Sequence, residues 1–117
     1  MRYLTPILGV LFFSIIISDV AIARKHGATL TWSPSKSAAG CKSPCKGVYL
    51  IFEGPASGKE DMTKPFASTT ALRFVDDEPK AGAYSGTTRC YVIRYQITIR
   101  RRVMVGESSK ETCVAFQ

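Results

Sequence analysis

The stretch from Arg89 to Ile99 alternates: Tyr91, Ile93, Tyr95, Ile97 and Ile99 share one parity, and Cys90, Val92, Arg94, Gln96 and Thr98 the other. A period of two, apolar on one side and mostly polar on the other, describes an extended strand with one buried and one wet face. It is incompatible with a helix, whose apolar stripe returns every 3.6 residues. Ala28, Leu30 and Trp32 repeat the pattern against Thr29 and Thr31. Val48 to Phe52, Phe66 to Val75 and Thr112 to Phe116 read as further strands. The connections 33–47, 56–64, 76–86 and 106–109 are rich in Ser, Gly, Pro and Lys, and Gly106-Glu107-Ser108-Ser109 reads as a turn. No segment after residue 27 has a helical period. Several short strands with long polar connections predict an all-β chain folded as an antiparallel β-sandwich.

The first residues have a different character. Residues 1–23 are expected to be a cleaved secretory signal peptide: Arg2 supplies the positive charge, residues 7–17 an apolar run, and Ala21-Ile22-Ala23 a small-x-small cleavage site. The run is shorter than the ~20 residues that a spanning helix needs, so no integral membrane span is expected after cleavage. Residues 24–117 then form the folded domain. Cleavage removes one base, Arg2, and one acid, Asp19, so the formal charge stays at +7. A domain of this size has room for one modest core, and covalent staples help it. Export, to the periplasm or beyond, makes the four cysteines candidates for two disulfides.

Taken in order, several stretches resemble a fibronectin type III-like domain of the short kind found behind bacterial signal peptides. Thr29-Leu30-Thr31-Trp32-Ser33-Pro34 resembles that family's strand B with its core Trp, and Tyr49-Leu50-Ile51-Phe52-Glu53-Gly54 its strand C. Phe74-Val75-Asp76 resembles the end of strand E, Gly86-Thr87-Thr88 with Cys90 to Arg94 strand F, and Gly106-Glu107-Ser108 the turn into strand G. The resemblance implies an immunoglobulin-like, fibronectin type III-like sandwich. It leaves only Arg24 to Gly27 for the first strand, which is therefore expected to be absent or rudimentary. Arg89 stands where the family often has Tyr, and no Arg-Gly-Asp occurs, so integrin-type adhesion has no support.

In a sandwich of this type Cys41 and Cys45 fall in the loop between strands B and C, at one pole. Cys90 and Cys113 fall on neighbouring strands toward the other. This favours the pairs Cys41–Cys45 and Cys90–Cys113, since a bridge needs Cα atoms roughly 4.4–6.8 Å apart. The midpoint of 90 and 113 lies near Arg101-Arg102 rather than Gly106, so the register requires a bulge on one side. A zinc site is not expected, because Cys90 and Cys113 lack the close spacing of a ligand pair. Three residues separate Cys41 from Cys45, one more than in a redox Cys-x-x-Cys motif. A small exported thiol-disulfide or other enzyme using Cys41/Cys45 remains the alternative to a scaffold.

Catalytic constellations are missing. The sole His, His26, sits beside the cleavage site, and no phosphate-binding or dinucleotide glycine motif occurs, so neither catalytic residues nor cofactors are expected. Asp76-Asp77-Glu78 reads as a solvated acidic loop rather than a calcium site. Strand parity makes most aromatic residues core, with Phe52 the candidate for exposure. Charge carries more functional meaning. Arg100, Arg101 and Arg102 follow strand F, and Lys36, Lys42 and Lys46 lie in the loop between B and C, so in such a sandwich all six meet at one pole. That predicts a non-enzymatic exported module that binds a protein, an anionic surface or a glycan through a basic loop pole. Nucleic acid is not an expected partner of an exported protein.

Overall fold

The computed structural model describes residues 20–24, 27–106 and 108–117. Strands dominate the described residues, with one five-residue helix, so the chain is all-β as expected. In order the elements are β1 (Val20–Arg24), β2 (Gly27–Thr31), α1 (Lys36–Gly40), β3 (Cys45–Gly54), β4 (Ala67–Thr69), β5 (Arg73–Asp77), β6 (Thr88–Ile99), β7 (Arg102–Val105) and β8 (Thr112–Ala115). They make two antiparallel sheets. One has the order β1-β2-β5. In the other β4, β3, β6 and β7 follow one another, and β8 also pairs with β6.

The alternation seen in the sequence determines where the core sits. Tyr49, Ile51, Tyr91, Ile93, Tyr95, Ile97 and Val114 of the larger sheet form one buried cluster with Ala28, Leu30 and Trp32 of the smaller. Trp32 meets Tyr49 edge-on at 5.5 Å, and Tyr49 lies 4.6 Å from Tyr95, both favourable aromatic geometries. The long β3–β6 ladder, from Cys45 opposite Ile99 to Gly54 opposite Cys90, gives the molecule two distinct ends. Gly47 is required on this ladder, because a Cβ there would collide with the Tyr95 hydroxyl.

Four expectations need correction. First, a strand does occupy the outer edge of β2: β1 pairs from Val20 opposite Thr31 to Arg24 opposite Gly27. It uses residues 20–23, assigned above to the leader; the apolar run 7–17 and His26 lie outside the described residues. Second, the loop between β2 and β3 contains the short helix α1, capped by the Ser35 hydroxyl, which accepts from the Ser37 N–H at 3.3 Å. Five residues are too few to produce a readable period.

Third, Phe52 is buried, 3% exposed, in a small second cluster with Leu50, Val92 and Val48 on the opposite face from Tyr49 and Ile51. The loop after β3 is tied back to the end of β3 and to Glu111. The Gly58 N–H and Ser57 hydroxyl donate to the Glu111 carboxylate at 2.7 and 2.5 Å, and the Asp61 N–H to the Glu53 carbonyl at 3.4 Å. Parity alone cannot foresee a second apolar cluster on the outward face.

Fourth, the turn after β6 is at Arg100-Arg101, with Ile99 opposite Arg102, and not at Gly106. Pairing with β6 instead breaks off after Val105 and resumes at Thr112. The Gly106 N–H donates to the Tyr95 carbonyl and the Ser109 N–H to the Ile93 carbonyl. The register on β6 slips by two residues between Val105 opposite Gln96 and Thr112 opposite Tyr91. With the turn at Arg100-Arg101 the cysteine midpoint lies beside the turn itself, so the large bulge expected for a turn at Gly106 is not needed and a two-residue slip suffices. Immediate pairing of the β-branched stretch after Arg102 outweighs the turn preference of Gly106, at the cost of Arg100 adopting φ 56°.

Candidate functional site

The end marked by Gly54 and Cys90 is a closed ionic network. Asp76, 3% exposed in β5, accepts from the Tyr84 hydroxyl at 2.9 Å, the Tyr91 hydroxyl at 2.5 Å and Arg89 Nε at 3.3 Å. Arg89 also pairs with Glu53 at 3.0 Å, and its guanidinium lies 4.1 Å from the Tyr84 ring centre. Asp76 is therefore a buried hub and not part of a solvated loop. Glu78 accepts from the Gly82 and Tyr84 N–H groups, which shapes the following loop. Burial, with the adjoining Asp76 carboxylate, pushes the Tyr84 hydroxyl up to about 12 and the Tyr91 hydroxyl up as well. Burial also raises the Glu53 carboxyl against the opposing pull of Arg89. Both carboxylate oxygens of Asp76 accept from donors within the fold, so the network reads as structural.

Register assigns most of the six basic candidates to the opposite end. Lys46 lies opposite Thr98, and Arg100 and Arg101 form the turn just beyond Ile99. Lys42 and Lys36 lie on the connection that enters β3 at that end, and Arg102 opens β7. All six are exposed, and the ion pairs among the described residues belong to Arg89 and not to any of them. The Lys-bearing connection is held rigidly. The Ser35 N–H donates to the Tyr49 hydroxyl at 2.9 Å, and the Cys45 N–H to the Lys42 carbonyl at 2.7 Å. Ala38, Cys41 and Cys45 pack against the core.

The two expected disulfides are present. Cys41–Cys45 closes the basic connection with Cα atoms 5.1 Å apart, and Cys90–Cys113 joins β6 to β8 with Cα atoms 4.0 Å apart. Glu111 comes within 4.8 Å of the Cys90 and Cys113 sulfurs, but those sulfurs are bonded to each other.

Sequence reasoning missed two features. The Asp76 hub was hidden in an acidic run, and its only signal was Asp76 continuing the parity of Phe74 on a strand. The other is the apolar character beside the arginines. Val103, Met104 and Val105 are 57%, 45% and 39% exposed on β7, and Ile99 is 37% exposed. Three consecutive apolar residues after an arginine run were the readable signal. No family model and no curated protein matches the sequence.

Proposed function

We propose that the chain is an exported, non-enzymatic module with a fibronectin type III-like sandwich fold, which binds anionic surfaces or partners through its basic end. The observation that carries this is charge segregation. Glu53, Glu60, Asp61, Asp76, Asp77, Glu78 and Glu111 all lie on elements at the Gly54–Cys90 end, whereas Lys36, Lys42, Lys46, Arg100, Arg101 and Arg102 surround the Cys45–Ile99 end. Six exposed cations around one end and seven acids at the other produce a directional field that steers anions to the basic end. Strand pairing supports the fold reading: β2 beside β5, and β3, β6 and β8 in one sheet, are the neighbours that strands B and E, and C, F and G, have in that architecture. Two disulfides, and the absence among the described residues of any helix long and apolar enough to cross a membrane, are consistent with an extracytoplasmic site of action.

The test is salt-gradient elution from immobilised heparin. Arg100→Glu with Arg101→Glu is expected to elute at clearly lower salt than Lys59→Glu with Lys64→Glu, which changes the net charge equally at exposed positions on the loop after β3. Equal elution of the two variants would mean that net charge, and not the basic end, governs retention.

A further inference from the structure

The β6–β7 hairpin breaks two rules that water-exposed strands normally obey. Edge strands are usually short of apolar residues or guarded on both faces, and strands apolar on both faces are usually buried. On β7, Val103 lies opposite Thr98 and Val105 opposite Gln96, on the outer face; Met104 lies opposite Ile97, on the inner parity. Ile97 is buried, yet Met104 and Ile99 beside it are exposed, so the smaller sheet does not cover this corner. The hairpin therefore projects past the core with apolar side chains on both faces and arginines across its tip. Other exposed large apolar residues, Met62, Phe66 and Leu72, occur singly in or beside the connections on either side of β4.

We infer that this hairpin is a membrane-surface anchor: Arg100, Arg101 and Arg102 contact the headgroups of anionic phospholipids while Ile99, Val103, Met104 and Val105 enter the interfacial layer. This rests on the anion-binding reading of the basic end and specifies its ligand. Charge complementarity selects an anionic occupant. The apolar residues select lipid over a polyanionic glycan, which offers them no apolar surface. A flat protein partner would cover one face of a projecting hairpin, whereas the fluid acyl–headgroup boundary encloses both. A second copy is disfavoured because pairing of β7 with β7 brings together two chains each carrying +7. Insertion stays shallow, since β7 pairs only with β6 among the described residues, and N–H and C=O groups on its outer edge need the hydrated interface and cannot enter the hydrocarbon.

The experiment is co-sedimentation of the purified protein with phosphatidylcholine vesicles, with and without about 30% phosphatidylglycerol. Val103→Thr with Met104→Thr, exposed positions where Thr keeps strand propensity, is compared with Arg100→Glu with Arg101→Glu, after each is shown to melt as the parent does. The inference expects salt-sensitive binding to the anionic vesicles, weakened about tenfold or more by either variant. It further expects heparin retention to be lost in the arginine variant and kept in the threonine variant. Vesicle binding that is absent, unchanged by the threonine substitutions, or equal on pure phosphatidylcholine overturns the inference. If the arginine variant still loses heparin retention in that case, the basic-end reading stands and its ligand is a glycan; if it does not, that reading fails too. A dimer in sedimentation velocity that the threonine substitutions dissociate also overturns it, by assigning the hairpin to self-association.

Discussion

At the Gly54–Cys90 end, the Arg89 guanidinium is held between two carboxylates, under an aromatic ring, with two tyrosine hydroxyls closing the cluster around Asp76. At the Cys45–Ile99 end three consecutive arginines and three lysines face solvent with no carboxylate among the described residues paired to them. The same residue type thus performs opposite tasks. Arg89 fixes strands β3, β5 and β6 to one another, whereas Arg100 to Arg102 contribute nothing visible to the packing. A charge whose partners are all internal is bound to the fold; a charge displayed on a stapled loop and a tight turn is free for an external partner. The difference predicts which substitutions unfold the protein and which silence it.

The largest effects belong to the core and the closed end. Trp32→Ala should cost about 3–5 kcal/mol as a core truncation, read from denaturant unfolding. A mild effect would argue against Trp32 joining the two sheets. Asp76→Ala should cost a similar amount, about 3–5 kcal/mol, because it leaves Arg89 and two tyrosine hydroxyls without their shared acceptor. Heparin retention of the folded fraction should be unchanged; if it falls, the two ends are not independent.

The tyrosines of the network make the closed end sensitive to base. Tyr84 and Tyr91 keep their protons in the folded state above the ordinary value of 10.0, Tyr84 to about 12. A raised folded value means that the stabilisation is complete below pH 10.0 and is lost as pH climbs toward about 12. Urea unfolding midpoints across that window should drop steeply. Tyr84→Phe should flatten the drop, and an unchanged slope would remove Tyr84 from the account. The smallest effect lies at the open end. Arg100→Gly should stabilise by up to about 1 kcal/mol, because glycine relieves the left-handed backbone at φ 56°. A loss of stability on this substitution would show that the Arg100 side chain is tied into the fold.

Much of the fold was legible because parity is a local property. Ala28, Leu30, Trp32 and the β6 series Tyr91 to Ile97 are inward where alternation puts them. Both disulfides followed from the expected architecture, Cys41–Cys45 from a shared loop and Cys90–Cys113 from strand adjacency. What escaped was non-local or exceptional. Phe52 has outward parity but is buried in a second cluster with Leu50, Val92 and Val48, and Val92 lies on another strand, distant in sequence. The turn at Arg100-Arg101 carries none of the Gly or Asn residues that mark such turns, so Gly106 drew the assignment instead. At the site, the six cations were readable from composition and order. The exposure of the apolar β7 beside them was not, because it depends on how far the smaller sheet extends.

The central claim, that one end of the molecule binds and the other only holds it together, is tested most directly by amide chemical-shift mapping. Titration of the 15N-labelled protein with phosphatidylglycerol-containing bicelles is predicted to perturb residues 36–46 and 98–105 and to leave Glu53, Asp76, Tyr84 and Arg89 in place. Perturbations centred on Arg89 and Asp76, or spread evenly over both ends, would contradict it.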